Sequence, residues 1–140
     1  MIARAIGLLT AATAASLLGA GPADAVPRAI AVLQGLDKVT ARVSTFEAPV
    51  GETITFGALQ IRVRHCDRTP PQEAPESAAF LEIDEAKQGE EPVALFTGWM
   101  FASSPGLNAL EHPVYDVWVL ECKGAELEGD ATPPSPQQQQ

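Results

Sequence analysis

The stretch Gly98-Trp99-Met100-Phe101-Ala102-Ser103-Ser104-Pro105-Gly106-Leu107-Asn108-Ala109-Leu110-Glu111-His112-Pro113-Val114-Tyr115-Asp116-Val117-Trp118-Val119-Leu120-Glu121-Cys122 holds both tryptophans, the only tyrosine and one of the two cysteines of this 140-residue chain. Its end, Val114 to Cys122, reads as a β-strand, because β-branched and aromatic residues fit a pleated surface and strand side chains alternate between faces. One face carries Val114, Asp116, Trp118, Leu120 and Cys122, and the other carries Tyr115, Val117, Val119 and Glu121. Apolar residues on both faces predict a central strand, with Tyr115 and Trp118 filling core on either side of it. Asp116 sits between Val114 and Trp118 on its face, so its carboxylate needs a partner: an arginine, His112 or backbone amides of the Ser103 to Asn108 segment. Upstream, Ser104 as cap and Pro105 at the first helical position predict a short helix through Leu107, Ala109 and Leu110, stopped by His112-Pro113.

Outward from this stretch the chain reads as further short strands. Val93 to Trp99 and Ala78 to Asp84 are apolar runs separated by the polar turn Lys87 to Pro92, a hairpin pattern. Leu59 to Cys66 alternates with Leu59, Ile61 and Val63 on one face, and strict alternation puts Cys66 on the opposite, arginine face. Glu52 to Phe56 precedes it, rich in β-branched residues, and Lys38 to Phe46 alternates Val39, Ala41 and Val43 with polar residues, as a strand with one wet face does. Val26 to Gln34 has no clear period and reads as a leader or an edge strand ended by Gly35. Asp67 to Ser77, with Pro70, Pro71 and Pro75, cannot sustain a ladder and reads as an exposed loop. Six or so short strands with one short helix predict a mainly β fold, a small antiparallel sandwich or a partly open barrel.

The ends frame one domain. Residues 1–25 have the parts of a secretory signal: Arg4, an apolar run from Ala5 to Leu18 of about 14 residues, shorter than the roughly 20 of a spanning helix, and Ala23-Asp24-Ala25 as cleavage site. The expectation is export to the periplasm, without lipidation because no cysteine follows the cleavage site, and without a membrane span in the mature chain. Residues 26–123 form the single β domain, and 124–140, acidic and then Pro- and Gln-rich, a disordered tail. In an oxidising compartment Cys66 and Cys122 are expected to form a disulfide, since neither lies in a metal-binding or redox C-x-x-C pattern. A formal net charge of −9 excludes the basic footprint that nucleic acid requires.

These residues include the types that three chemistries use. Zinc or copper would accept His65, Cys66, His112, Asp116 and Cys122, but the neighbours His65 and Cys66 point to opposite strand faces and no compact ligand spacing occurs. Ser103 or Ser104 with His112 and Asp116 has the residue types of a nucleophilic triad, yet no G-x-S-x-G elbow is present. Glu82 and Asp84, at i and i+2, have the pattern of a solvated face rather than that of a glycosidase pair. The reading therefore assigns no catalytic residue, no metal ligand and no cofactor. It favours recognition: Trp99, Phe101, Ser103, Ser104, Asn108, His112, Tyr115 and Asp116 are the candidate binding residues, because amphipathic aromatics and polar groups of one segment anchor protein or glycan contacts. The alternative is a periplasmic metal-binding protein or hydrolase using His112, Asp116 and Ser103 or Ser104.

The blocks Ala31 to Lys38, Ala74 to Ile83, Gly98 to Leu107 and His112 to Val119 together resemble a family of exported alphaproteobacterial domains of unknown function. The resemblance spans about Ala31 to Lys123. It implies a periplasmic single domain, transfers no catalytic residue, and associates such domains by genome neighbourhood with accessory subunits of respiratory complex I. The functional expectation is a non-enzymatic domain that engages a periplasmic or envelope protein through the Trp99 to His112 segment.

Overall fold

The computed structural model describes residues 25–127, and within them the chain is seven antiparallel strands and no helix. The predicted signal segment and most of the predicted tail lie outside the described residues; β7 itself runs to Glu126, three residues into the segment read as tail. The strands are β1 (Val26–Asp37), β2 (Arg42–Pro49), β3 (Thr53–Phe56), β4 (Leu59–Arg68), β5 (Ser77–Glu85), β6 (Val93–Phe101) and β7 (Tyr115–Glu126). They form one sheet folded over on itself. β2, β1 and β7 make one wall, β3, β4, β5 and β6 the other, and the start of β1 joins them by pairing Val26 and Pro27 with Arg68 and Asp67 of β4. No ladder links β6 to β7 among the described residues. The barrel is therefore partly open, as the strand pattern predicts, with one seam between those two strands; β2 and β3 are likewise not paired with each other.

Between the walls the fully buried side chains are Leu33, Leu59, Ile61, Val63, Leu81, Ile83, Val117, Val119, Cys66 and Cys122. Fully burying an aliphatic side chain of this size stabilises the fold by about 1.5–3 kcal/mol, so this cluster supplies most of the driving force. The two cysteines are there because both of their strands break alternation. On β4 the register with β5 jumps between Val63 and His65, leaving Arg64 as an extra residue. On β7 the register with β1 jumps between Val32 and Leu33, whose partners are Glu121 and Val119, leaving Leu120 extra. Each bulge turns a cysteine that lies three residues beyond an inward valine back into the core. The sulfurs of Cys66 and Cys122 meet at bonding distance with Cα atoms 5.5 Å apart, which joins the two walls as expected, although strict alternation had placed Cys66 outside.

Several expectations fail for one reason: which neighbour a strand has decides which face is wet, and periodicity does not report it. β7 pairs only with β1, so one face (Val117, Val119, Cys122) is buried while Asp116, Trp118 and Leu120 face outward. Val26 to Asp37 is the longest-paired strand, with β2 and β7 on its two edges, and it passes straight through Gly35. Gly35 is needed there because the Phe56 ring lies flat on it; a Cβ would come within 2.7 Å of that ring. Residues 38–41 are a turn rather than strand, held by the Asp37 carboxylate accepting from the Val39 and Thr40 amides at 2.9 and 3.1 Å. Val43, predicted to face the core, is 55% exposed.

Candidate functional site

The segment from Ala102 to Val114 connects β6 to β7 across the open seam, so its shape follows from how the chain closes that gap. The predicted helix does not form. The backbone makes hydrogen-bonded turns instead, Ser104 N–H to the Phe101 carbonyl at 3.2 Å and Leu107 N–H to the Ser104 carbonyl at 3.0 Å. A helix capped at Ser104 would meet Pro113 within two turns, too short to repay nucleation, whereas the turns let Leu110 enter the core. In the middle, Asn108 Nδ2 donates to the Trp99 carbonyl at 2.9 Å, tying the segment to the unpaired edge of β6.

Both ends of the connection are pinned by carboxylates. Near the disulfide, Glu76 accepts from the Ser77 amide at 3.0 Å, the Ser103 amide at 3.1 Å and the Ser103 hydroxyl. Desolvation works against its charge, but these hydrogen bonds prevail and hold the Glu76 carboxyl below its ordinary value. Ser77 also takes part, its hydroxyl accepting from the Cys122 amide at 3.0 Å. At the far end His112 is buried; its Nδ1 accepts from the Val114 and Tyr115 amides at 3.0 and 3.1 Å, so the ring proton sits on Nε2, facing Glu85 Oε1 at 3.1 Å. Lys38 completes the clamp by donating through Nζ to the His112 carbonyl at 2.9 Å and through its amide to the Val114 carbonyl at 2.7 Å. Tyr115 then packs edge-on against Phe56 and receives the Ala58 amide on its hydroxyl at 3.3 Å.

The candidate residues thus separate rather than gather at one point. Ser103 and Ser104 lie at the Glu76 end, and His112 with Tyr115 at the Glu85 end. Trp99 and Phe101 lie on the outer face of β6, where Trp99, 36% exposed, meets Phe80 edge-on at 5.6 Å and stacks on His65 at 6.2 Å. Asp116 points outward from β7 beside Trp118, which is half-buried on the outer face and not core as predicted. The two line a recess of about 320 Å³ with Pro105, Gly106 and Ala109 of the connection. Ser103 bonded to Glu76 and His112 bonded to Glu85 leave the serine, histidine and aspartate of the alternative reading apart, and among the described residues no three His, Cys, Asp or Glu side chains gather as a metal site. Asp116 meets neither arginine, His112 nor loop amide: among the described residues it has no hydrogen bond or ion pair.

Sequence reasoning missed Glu76, Glu85 and the His65, Phe80 and Trp99 row. The two glutamates sit at strand ends, where no periodicity marks a partner, and the row needs the register of three strands to become visible. Elsewhere on the outer face, burial raises the Asp67 carboxyl above its ordinary value, with His65 acting against it.

Residues 31–122 match the family model described as an uncharacterized protein conserved in bacteria, DUF2155. The chain belongs to this family. The match spans the fold from the middle of β1 to Cys122, so the two-walled barrel, the clamped connection and both cysteines are its contents in this chain. A relative from Rickettsia prowazekii (strain Madrid E), "Uncharacterized protein RP359", is 32% identical over 87 residues, 62% of this chain and 56% of the relative. The chain therefore spans little more than half of that relative's length, and the relative's alphaproteobacterial source agrees with that part of the resemblance. No solved structure matches the chain.

Proposed function

We propose that this domain is an exported periplasmic binding module, not an enzyme, and that it engages a protein of the cell envelope through the connection between β6 and β7. The observation that carries the reading is the build of that connection. It is pinned at both ends by glutamate-centred hydrogen bonds and in the middle by Asn108, yet its apex residue Leu107 is 73% exposed. A long irregular segment held rigid over a sheet gap presents side chains without the ordering cost that a flexible loop incurs on binding. The unassembled serine, histidine and aspartate favour recognition over hydrolysis.

The test is photocrosslinking in the living cell. A photoreactive residue at Leu107 is expected to capture a discrete envelope protein, whereas the same residue at Gly89, in the turn between β5 and β6, is not. Identical adduct patterns from the two positions, or none from either, overturn the reading. Export is checked by the N-terminus of the protein released by osmotic shock, expected at Val26; a cytoplasmic protein beginning at Met1 removes the periplasmic part.

A further inference from the structure

The recess between β7 and the connection has a definite chemistry. Its lining on the strand side is Trp118 and Asp116; on the other side it is Pro105, Gly106 and Ala109, which bring no charge. Register places both strand residues on the outer face of the β2, β1 and β7 wall, with Gln34 opposite Trp118 and Leu36 opposite Asp116. Along that same face lie Glu47 and Glu121, both partners of Val32; Lys123 is taken up by Glu47, and the Nζ of Lys38, two residues beyond Leu36, is bonded to the His112 carbonyl. A carboxylate without a partner beside an aromatic face, on a wall of net negative charge, attracts a cation, and indole is the best of the aromatic faces for one. At about 320 Å³ the recess is at the lower end of ligand-pocket sizes, roughly 300–1,000 Å³, which suits one long side chain better than a whole metabolite.

We propose that this recess is a subsite for a single basic side chain, arginine or lysine, of the partner polypeptide, whose charged end meets Asp116 and whose alkyl stem or guanidinium plane lies on Trp118. This rests on the reading of the connection as a protein-binding segment and names what that segment recognises. Arginine is the better occupant, since a planar guanidinium both stacks on indole and bonds a carboxylate through two N–H groups. Asp116 and Trp118 are then specificity determinants, and the proline-bearing turn is the lid of the subsite.

The test titrates N-acetyl-Gly-Arg-Gly-amide, with the Gln analogue as control, into the oxidised domain and follows the two indole N–H signals by NMR. The Trp118 signal is expected to shift saturably with the Arg peptide, at least fivefold less tightly with the Gln peptide, while Trp99 stays put. Asp116→Asn is expected to weaken the Arg peptide about tenfold, the equivalent of 1.4 kcal/mol. Glu90→Gln, which makes the same charge change in the distant β5 to β6 turn, leaves binding unchanged. Equal response to both peptides, an unaltered response in Asp116→Asn with its native spectrum intact, or no Trp118 shift up to the solubility limit overturns the proposal. Crosslinking from Leu107 that survives in Asp116→Asn removes the basic subsite and leaves the interaction module standing. A positive titration with no crosslink does the reverse.

Discussion

Removing the Cys66 to Cys122 link is the perturbation whose size follows most directly from the fold. The two residues are separated by 56 positions and join β4 of one wall to β7 of the other. Closing a loop of about 57 residues removes about 14 cal/mol/K of chain entropy from the unfolded state, or about 4 kcal/mol at 25 °C. Both sulfurs are fully buried, so a Cys66→Ala, Cys122→Ala variant also loses packing, about 1 kcal/mol more. Small domains hold only about 5–15 kcal/mol in total, so the loss consumes a large part of it. For a domain near 100 residues the melting temperature should fall by about 20–30 °C. Urea titrations of the oxidised protein, the reduced protein and the double variant separate the two contributions, because reduction deletes no atoms. The expected order of stability is oxidised, reduced, double variant. A double variant within about 1 kcal/mol of the oxidised protein would refute the reasoning that β7 depends on this covalent tie.

Other changes test single contacts. Gly35→Ala drives a Cβ into the Phe56 ring and is expected to cost about 1–3 kcal/mol in urea unfolding, because that ring is wedged between Phe46 and Tyr115 and cannot retreat. Ala41 holds a φ of 55° at the end of the β1 to β2 turn, so Ala41→Asn, which tolerates the left-handed region better, should stabilise by about 0.5 kcal/mol. Glu76 is held below its ordinary value of 4.5, so its contribution to stability is fully present above that pH and is lost as pH falls through the lower folded value. Ser103→Ala removes the hydroxyl donor, and the gap between urea midpoints at neutral and strongly acid pH should narrow. Tyr115→Phe takes the hydroxyl from the Ala58 amide and should cost about 1 kcal/mol.

The strand content and the antiparallel, incompletely closed architecture were legible because Leu59, Ile61 and Val63, and Ala79, Leu81 and Ile83, carry a clean period of two. The cysteine pair was legible from its count and its setting, but not its route inward, since a bulge adds one residue without marking it in the composition. Trp118 illustrates the limit of the hydrophobic argument. A large apolar side chain on a strand reads as core, yet β7 is the edge of its wall with β1 as its single paired neighbour, and Trp118 lies on the outer face beside the connection, half buried. The helix expected at Ser104 failed because capping signals are local and the seam is not; so short a helix does not repay nucleation, while the turns place Asn108 on the Trp99 carbonyl and Leu110 in the core. Asp116 was correctly seen as the odd residue of its strand, but its setting could only come from the register.

The proposed recognition surface requires the connection to be rigid over an open seam. Backbone ¹⁵N relaxation on the oxidised domain reports this directly at Asn108, Leu110 and His112. Order parameters of about 0.8, matching the strands, are predicted, with Asn108→Ala lowering them locally while β4 and β5 stay unchanged. Values below about 0.6 at those three amides in the unaltered protein would contradict it.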